Sequence, residues 1–352
     1  MIADLRLQQF RSYRDASFEF GPGVNIIVGP NGSGKTNLLE AILVLARGSS
    51  YRVGDIDLLR FDADWFRLDA QMEPEDTQRT LKFTTVPRLA KAYEVDGKQY
   101  QRLTLQQMLP VVLFEPNHLQ LLHGAPDLRR SYLDDILEQT IPGFTSFRRN
   151  YRRVLAQRNA LLKRPKKPTT QELFPWDLRL SELGATITRA RADLCVQLAE
   201  GLGGLYGDIS QAKTEVSIAY QPKFPLESYE SALLAKLESH LPEDILRGFT
   251  AYGPHREDFL VTFDGRPADE SASRGETRTA LLALKIIELQ LLEAVRNQTP
   301  LLLLDDVFSE LDGVRRRALT GFLQRYQTFL TTTDADVVVK HFTDSTIIPL
   351  GS

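Results

Sequence analysis

One run of residues could hold a phosphate chain: Gly29, Pro30, Asn31, Gly32, Ser33, Gly34, Lys35, Thr36 and Asn37, written GPNGSGKTN. Its glycines let backbone N–H groups turn inward around phosphate oxygens. A helix starting here adds positive potential. Lys35 is placed to reach the β- and γ-phosphates of ATP, and the Thr36 hydroxyl to hold Mg2+. Both flanks fit, with the apolar VNIIV before the loop and a helical run to about Ala46 after it.

Such a loop needs an acid from a neighbouring strand. LLLLDDVFSELD supplies it. Leu301 to Leu304 read as a buried strand ending in Asp305, placed for Mg2+ or its water shell. Asp306 follows, placed to orient or deprotonate an attacking water. Lys35 and Asp306 are thus the expected catalytic pair. A further segment, SASRGETRT, opens a helix that leads toward this strand. Ser273 and Gly275 stand at its start, a natural anion site.

These residues need elements to carry them. Alternating patterns at Ile2 to Gln8 and in ASFEF predict strands, as do WFRLDAQ, RTLKFTTV, KAYEVDGKQY and PVVLFEP. The DG pair is a hairpin signal. Helical periodicity takes over after about Pro116, broken by RPKKPTTQ. Strand character returns with DFLVTFDG. A helix is expected from about Gly275 to Arg296, then the Asp305 strand, a short helix near Arg315 to Tyr326, and TFLTT. The fold class is α/β, with residues 1–120 and 244–352 as one ATPase domain split in sequence. Residues 121–243 read as an inserted helical lobe.

The bulk numbers set limits. The chain has 352 residues and a net charge of −3, so any affinity for nucleic acid must come from a local patch. Arg148, Arg149, Arg152, Arg153, Arg158, Lys163, Arg164, Lys166 and Lys167 supply one, in a stretch without acids from Pro142 to Lys167. Helical i, i+4 spacing stacks 148 on 152 and 149 on 153, a face suited to phosphate backbone. Few aromatics accompany it, which favours duplex over single strands. Arg52, after the first helix, could approach the phosphates of ATP or of DNA. The lone Cys195 excludes a disulfide framework and fits a cytoplasmic setting. The sequence start shows no signal pattern, and no apolar run is long enough to span a membrane.

The order of phosphate loop, Ser-x-Gly helix and Asp-Asp strand resembles the ATP-binding-cassette superfamily. LRLQQFRSYRDASFEF followed by NIIVGPNGSGKTNLLEAI resembles SMC and Rad50-like heads, without room for their long coiled coils. SYR, HGAPDLRRSYLD, YGPHREDF, SRGETRTALLALK and LLLLDDVFSELD, in that order, resemble the RecF recombination-mediator family across most of the chain. The resemblance implies ATP held between two copies, each phosphate loop facing the partner copy's Ser273 helix. SELD, Ser309 to Asp312, resembles the loop that crosses between such subunits. The resemblance further implies a DNA clamp at gapped DNA in replication and repair. RecR and RecO would be its partners in helping to load RecA, in a bacterial, nucleoid-associated setting. Thr331 to Thr333 stand where transporter cassettes carry a switch histidine, and the second acid is Asp306 rather than Glu. Both departures disfavour a transporter subunit and point to slow hydrolysis, a switch rather than a motor.

Overall fold

The computed structural model describes residues 1–74, 76–334, 338–342 and 344–351; the Ser309 side chain also lies outside the description. The chain forms two compact units, residues 1–119 with 281–352, and residues 120–280. Among the described residues no helix is long and apolar enough to cross a membrane.

The first unit is built on two sheets. One is parallel, in the order β14 (Ser345–Pro349), β3 (Val24–Val28), β13 (Thr328–Thr332), β12 (Leu301–Asp305) and β8 (Val111–Phe114). The strands β3, β8, β12 and β13 are short and almost wholly buried, the pattern of strands covered on both faces, while the edge strand β14 is partly exposed. The other sheet is antiparallel, in the order β2 (Tyr13–Glu19), β1 (Ile2–Phe10), β4 (Trp65–Met72), β5 (Thr77–Thr84), β6 (Ala90–Val95) and β7 (Lys98–Tyr100). Its strands alternate, with Leu5, Leu7, Phe66, Leu68, Leu81 and Phe83 turned inward. The expected hairpin turn forms between β6 and β7, where Asp96 and Gly97 take φ of 52° and 73°. The helix α1 (Lys35–Arg47) shares one core with both sheets through Leu38, Ile42 and Leu45.

The second unit carries α2 (Pro126–Thr140), α3 (Phe144–Leu162), α4 (Thr170–Ser210), α5 (Tyr229–Ser239), α6 (Leu241–Arg247) and α7 (Ala268–Ser271). The 41-residue α4 starts on a capping box between Thr169 and Glu172. The helix α3 packs along α4. A small antiparallel sheet, β11 (Arg266–Pro267), β10 (Asp258–Phe263) and β9 (Val216–Gln221), completes the unit.

This sheet moves the expected second boundary. The sequence suggested a return to the ATPase half at residue 244, on the strand character of DFLVTFDG. That segment is β10, and its partner is β9, so it belongs with the lobe. The units divide instead at 280/281, inside α8 (Arg274–Arg296). The lobe is mainly helical, with a three-stranded sheet.

Candidate nucleotide site and basic lobe

The phosphate loop joins β3 to α1. Gly32 and Gly34 take φ of 84° and 98°, the left-handed region that glycine enters without strain. At Gly34 a Cβ would also stand 2.9 Å from the Tyr13 hydroxyl. That hydroxyl donates to the Gly34 carbonyl at 3.1 Å. Lys35 is almost wholly buried, and its Nζ donates to the carbonyls of Gly29 and Pro30 at 2.8 and 3.0 Å. Pro30, Asn31 and Gly32 are exposed at the tip. Asn37 donates to the Ser12 hydroxyl at 2.9 Å.

The strand β13 lies between the loop strand β3 and the acid strand β12. The Thr36 hydroxyl reaches past it and donates to Asp305 at 3.0 and 3.1 Å from the two carboxylate oxygens. The register of β12 and β13 sets Thr331 directly beside Asp305. The Thr331 hydroxyl donates to Asp305 Oδ1 at 2.8 Å and accepts from the Asp306 N–H at 2.9 Å. Thr331 therefore holds the Asp305 carboxylate and the Asp306 backbone, a role that the sequence left unread. Asp306 takes a left-handed φ of 53°. Partial burial raises its carboxyl above the usual range, against the lowering effect of Lys35, with Asp305 adding to the rise.

Arg52, grouped from sequence with the DNA contacts, sits at this carboxylate cluster. Its Nη2 is 3.1 Å from Glu115 and 3.5 Å from Asp305. Glu115, the residue after β8, was also missed. Its signal was the acid ending the apolar PVVLFEP, the same pattern that gave Asp305.

At the start of α8, Ser273 and Glu276 cap each other. Ser273 Oγ accepts from the Glu276 N–H at 3.3 Å, and the Glu276 carboxylate accepts from the Ser273 N–H at 2.8 Å. This is a capping box, with Ser273 exposed and Gly275 half-buried. In SELD, Asp312 caps the helix α9 (Gly313–Leu323) by accepting from the Arg315 N–H at 3.0 Å; the Ser309 side chain lies outside the described residues.

In the lobe, α3 carries Arg148, Arg149, Arg152, Arg153 and Arg158, and they divide into different kinds. Arg149, Arg152 and Arg153 are exposed. Arg148 is mostly covered and pairs with Glu138 at 2.6 Å and Asp134 at 3.2 Å. Arg158 is not on the basic face at all. It is fully buried, 2.5 Å from Asp177 and 2.6 Å from Asp244. Its acids come from α4 and α6, so the local sequence could not show them.

The two motifs most specific to the resemblance meet inside the lobe. Arg129 of GAPDLRRSYLD binds both oxygens of Asp258 in GPHREDF, at 2.8 and 2.6 Å. Arg130 donates to the Glu257 carbonyl at 2.9 Å. Glu257 is itself fully buried and accepts from Tyr229, Tyr220 and Thr188 at 2.6, 2.9 and 2.9 Å. These motifs hold the lobe together.

A phosphate loop and a facing Asp305 strand on this pair of sheets define an ATP-binding-cassette ATPase head of the SMC kind. The family model described as RecF/RecN/SMC N terminal domain matches residues 1–347. The DNA replication and repair protein RecF of Heliobacterium modesticaldum is 34% identical over 342 residues, covering 94% of this chain and 92% of that protein. Two solved structures of the recombination mediator protein, RecF-ATPrS and RecF-ATP in the RecFOR pathway, match with TM-scores of 0.86 and 0.83. They are 29% and 28% identical, and each match covers 95% of this chain and 92% of theirs. The chain belongs to the RecF family of DNA replication and repair proteins.

Proposed function

We propose that this chain is an ATP-dependent clamp on duplex DNA, closed by nucleotide-bound dimerisation and opened by slow hydrolysis. The observation that carries the nucleotide part is the hydrogen bond from Thr36 to Asp305, which brings a loop residue and a strand-end acid to one point.

The residues fit ATP and Mg2+. Gly32 and Gly34 shape the loop, and the buried Ser33 hydroxyl has no hydrogen-bond partner among the described residues. Thr36 and Asp305 form a hard oxygen donor set of the sort Mg2+ takes. Lys35 would exchange its loop carbonyls for the β- and γ-phosphates. Bound Mg2+ would neutralise charge developing on those phosphates. Asp306, raised by burial, is suited to orient water or accept its proton. Thr331 is engaged with both acids, and Thr332 and Thr333 bring no imidazole, which supports slow turnover.

The partner copy's Ser273 and Gly275 would close on the γ-phosphate, as the family resemblance implies, with ATP between the two subunits. The residues assigned to ATP are Gly29, Pro30, Asn31, Gly32, Ser33, Gly34, Lys35, Thr36 and Asn37, with Ser273 and Gly275 from the other copy. The residues assigned to DNA are Arg149, Arg152 and Arg153 on the exposed face, with Arg148 behind them. The position of Arg52 at Asp305 supports a place on the nucleotide side rather than among the DNA contacts. Weak, DNA-stimulated hydrolysis would time release at gapped DNA. RecR and RecO would be the mediator partners, and RecA the recombinase loaded, in the cytoplasm of a bacterium. The resemblance to the RecFOR pathway structures supports this assignment.

Binding of a fluorescent ATP analogue tests the nucleotide part. Lys35→Ala should abolish Mg2+-dependent binding; undiminished binding would reject the site.

A further inference from the structure

The lobe holds a cavity of about 140 Å³ whose wall carries Arg130, Arg148, Arg152 and Arg191. Three of these cations have carboxylate partners. Arg191 grips Asp134 at 2.9 and 3.1 Å, Arg148 meets Glu138 at 2.6 Å, and Arg130 meets Asp127 at 2.6 Å. Both acids of the wall, Asp127 and Asp134, are engaged in this way. Arg152 makes no hydrogen bond or ion pair among the described residues. Its outer side is exposed; partial burial holds its guanidinium below the usual range and neighbouring Arg148 adds to that, against the raising effect of Asp134 and Glu138. His255 on the same wall is uncharged. Its Nε2 donates to the Thr250 carbonyl at 3.0 Å, and its Nδ1 accepts from Tyr151 at 2.7 Å.

Arg152 lines this cavity beside Arg148, and the nearby acids Asp134 and Glu138 are already engaged by Arg191 and Arg148, so one positive charge of the wall is left over. An anion in the cavity would balance it. We propose that this cavity seats one phosphate group, with Arg152 as its ion-pair partner. Phosphate is favoured over a carboxylate by the surroundings. Arg149 and Arg153 are exposed on the same helix, and residues 142–167 carry no acid, so the approach is attractive to a polyanion. Guanidinium also matches phosphate oxygens with paired N–H donors. The phosphate could be a unit of a DNA backbone or a free ion. Only the first source rests on the clamp reading.

Two arms separate these sources in the full chain. The first follows melting temperature against inorganic phosphate, with chloride matching ionic strength. It compares Lys35→Ala with Lys35→Ala/Arg152→Gln, so that the phosphate loop is weakened in both. Phosphate should raise the melting temperature of the first protein more than that of the second. The second arm follows duplex-DNA affinity against salt for the unaltered chain and Arg152→Gln. If a backbone phosphate sits in the cavity, the log–log slope falls by about one unit in the variant. A phosphate effect with an unchanged slope assigns the site to free phosphate. Equal stabilisation by glutamate, or no Arg152-dependent change in either arm, overturns the proposal. A chain that binds no duplex at all rejects the clamp reading and leaves the first arm to decide the cavity.

Discussion

The Thr36 hydroxyl lies 3.0 Å from Asp305 Oδ1, although 269 residues separate the two in the chain. Their meeting point is where the loop after β3 and the end of β12 face each other across Thr331. Asp305→Asn keeps the size and removes the charge. It should lower ATP turnover by about 100-fold or more, the usual loss for a preorganised electrostatic partner. Steady-state phosphate release measures it, and a change under threefold would remove Asp305 from the metal role.

Thr331 offers a subtler test. Thr331→Val preserves shape but deletes the donor to Asp305 and the acceptor for the Asp306 N–H. One unsatisfied buried group costs about 1–3 kcal/mol. The variant should therefore melt lower and turn over ATP more slowly. Wild-type values for both would make Thr331 a bystander.

The sequence made the phosphate loop, Asp305 and the Ser273 helix start legible because each is a local pattern with a fixed mechanical meaning. Thr331 and Glu115 were not legible, since their roles come from strand register and from neighbours far along the chain. Arg158 was misread for the same reason. Periodicity placed it near a basic face, while its acids lie on two other helices. The strand β14 was missed because STIIP is short and carries a proline.

That misreading yields a stability prediction. Arg158→Leu would leave Asp177 and Asp244 buried without their cation. The expected loss is about 3–5 kcal/mol, read from denaturant unfolding followed by lobe-specific hydrogen exchange. An unchanged midpoint would mean that the pair is not closed in solution.

The lobe should also respond to pH through His255. Burial pushes its imidazole from the usual value down to about 4, against the raising effect of the Thr250 carbonyl, and the nearby arginines Arg256, Arg130 and Arg191 add to the fall. The folded state binds this proton less readily than the unfolded chain. The stabilisation is therefore full above about pH 6.5 and is lost as pH falls toward 4, by on the order of 1–3 kcal/mol. His255→Gln should flatten that part of the stability–pH curve. A curve identical to the unaltered chain's would contradict it.

Ser273 has two separable duties, capping α8 and, in the proposed closed pair, meeting the γ-phosphate. Ser273→Asp keeps a good cap but brings a negative charge to the phosphate. Thermal stability should hold while ATP-driven dimers disappear. Dimers that persist would assign Ser273 to capping alone.

The central claim is that ATP joins two copies and that the joined form grips duplex DNA. Light scattering with and without ATP and Mg2+, followed by duplex binding on the same samples, tests it most directly. A monomer should become a dimer with ATP, and DNA binding should be confined to the dimer. Lys35→Ala should lose both. A mass that ignores ATP, or DNA binding equal in both states, would contradict the account.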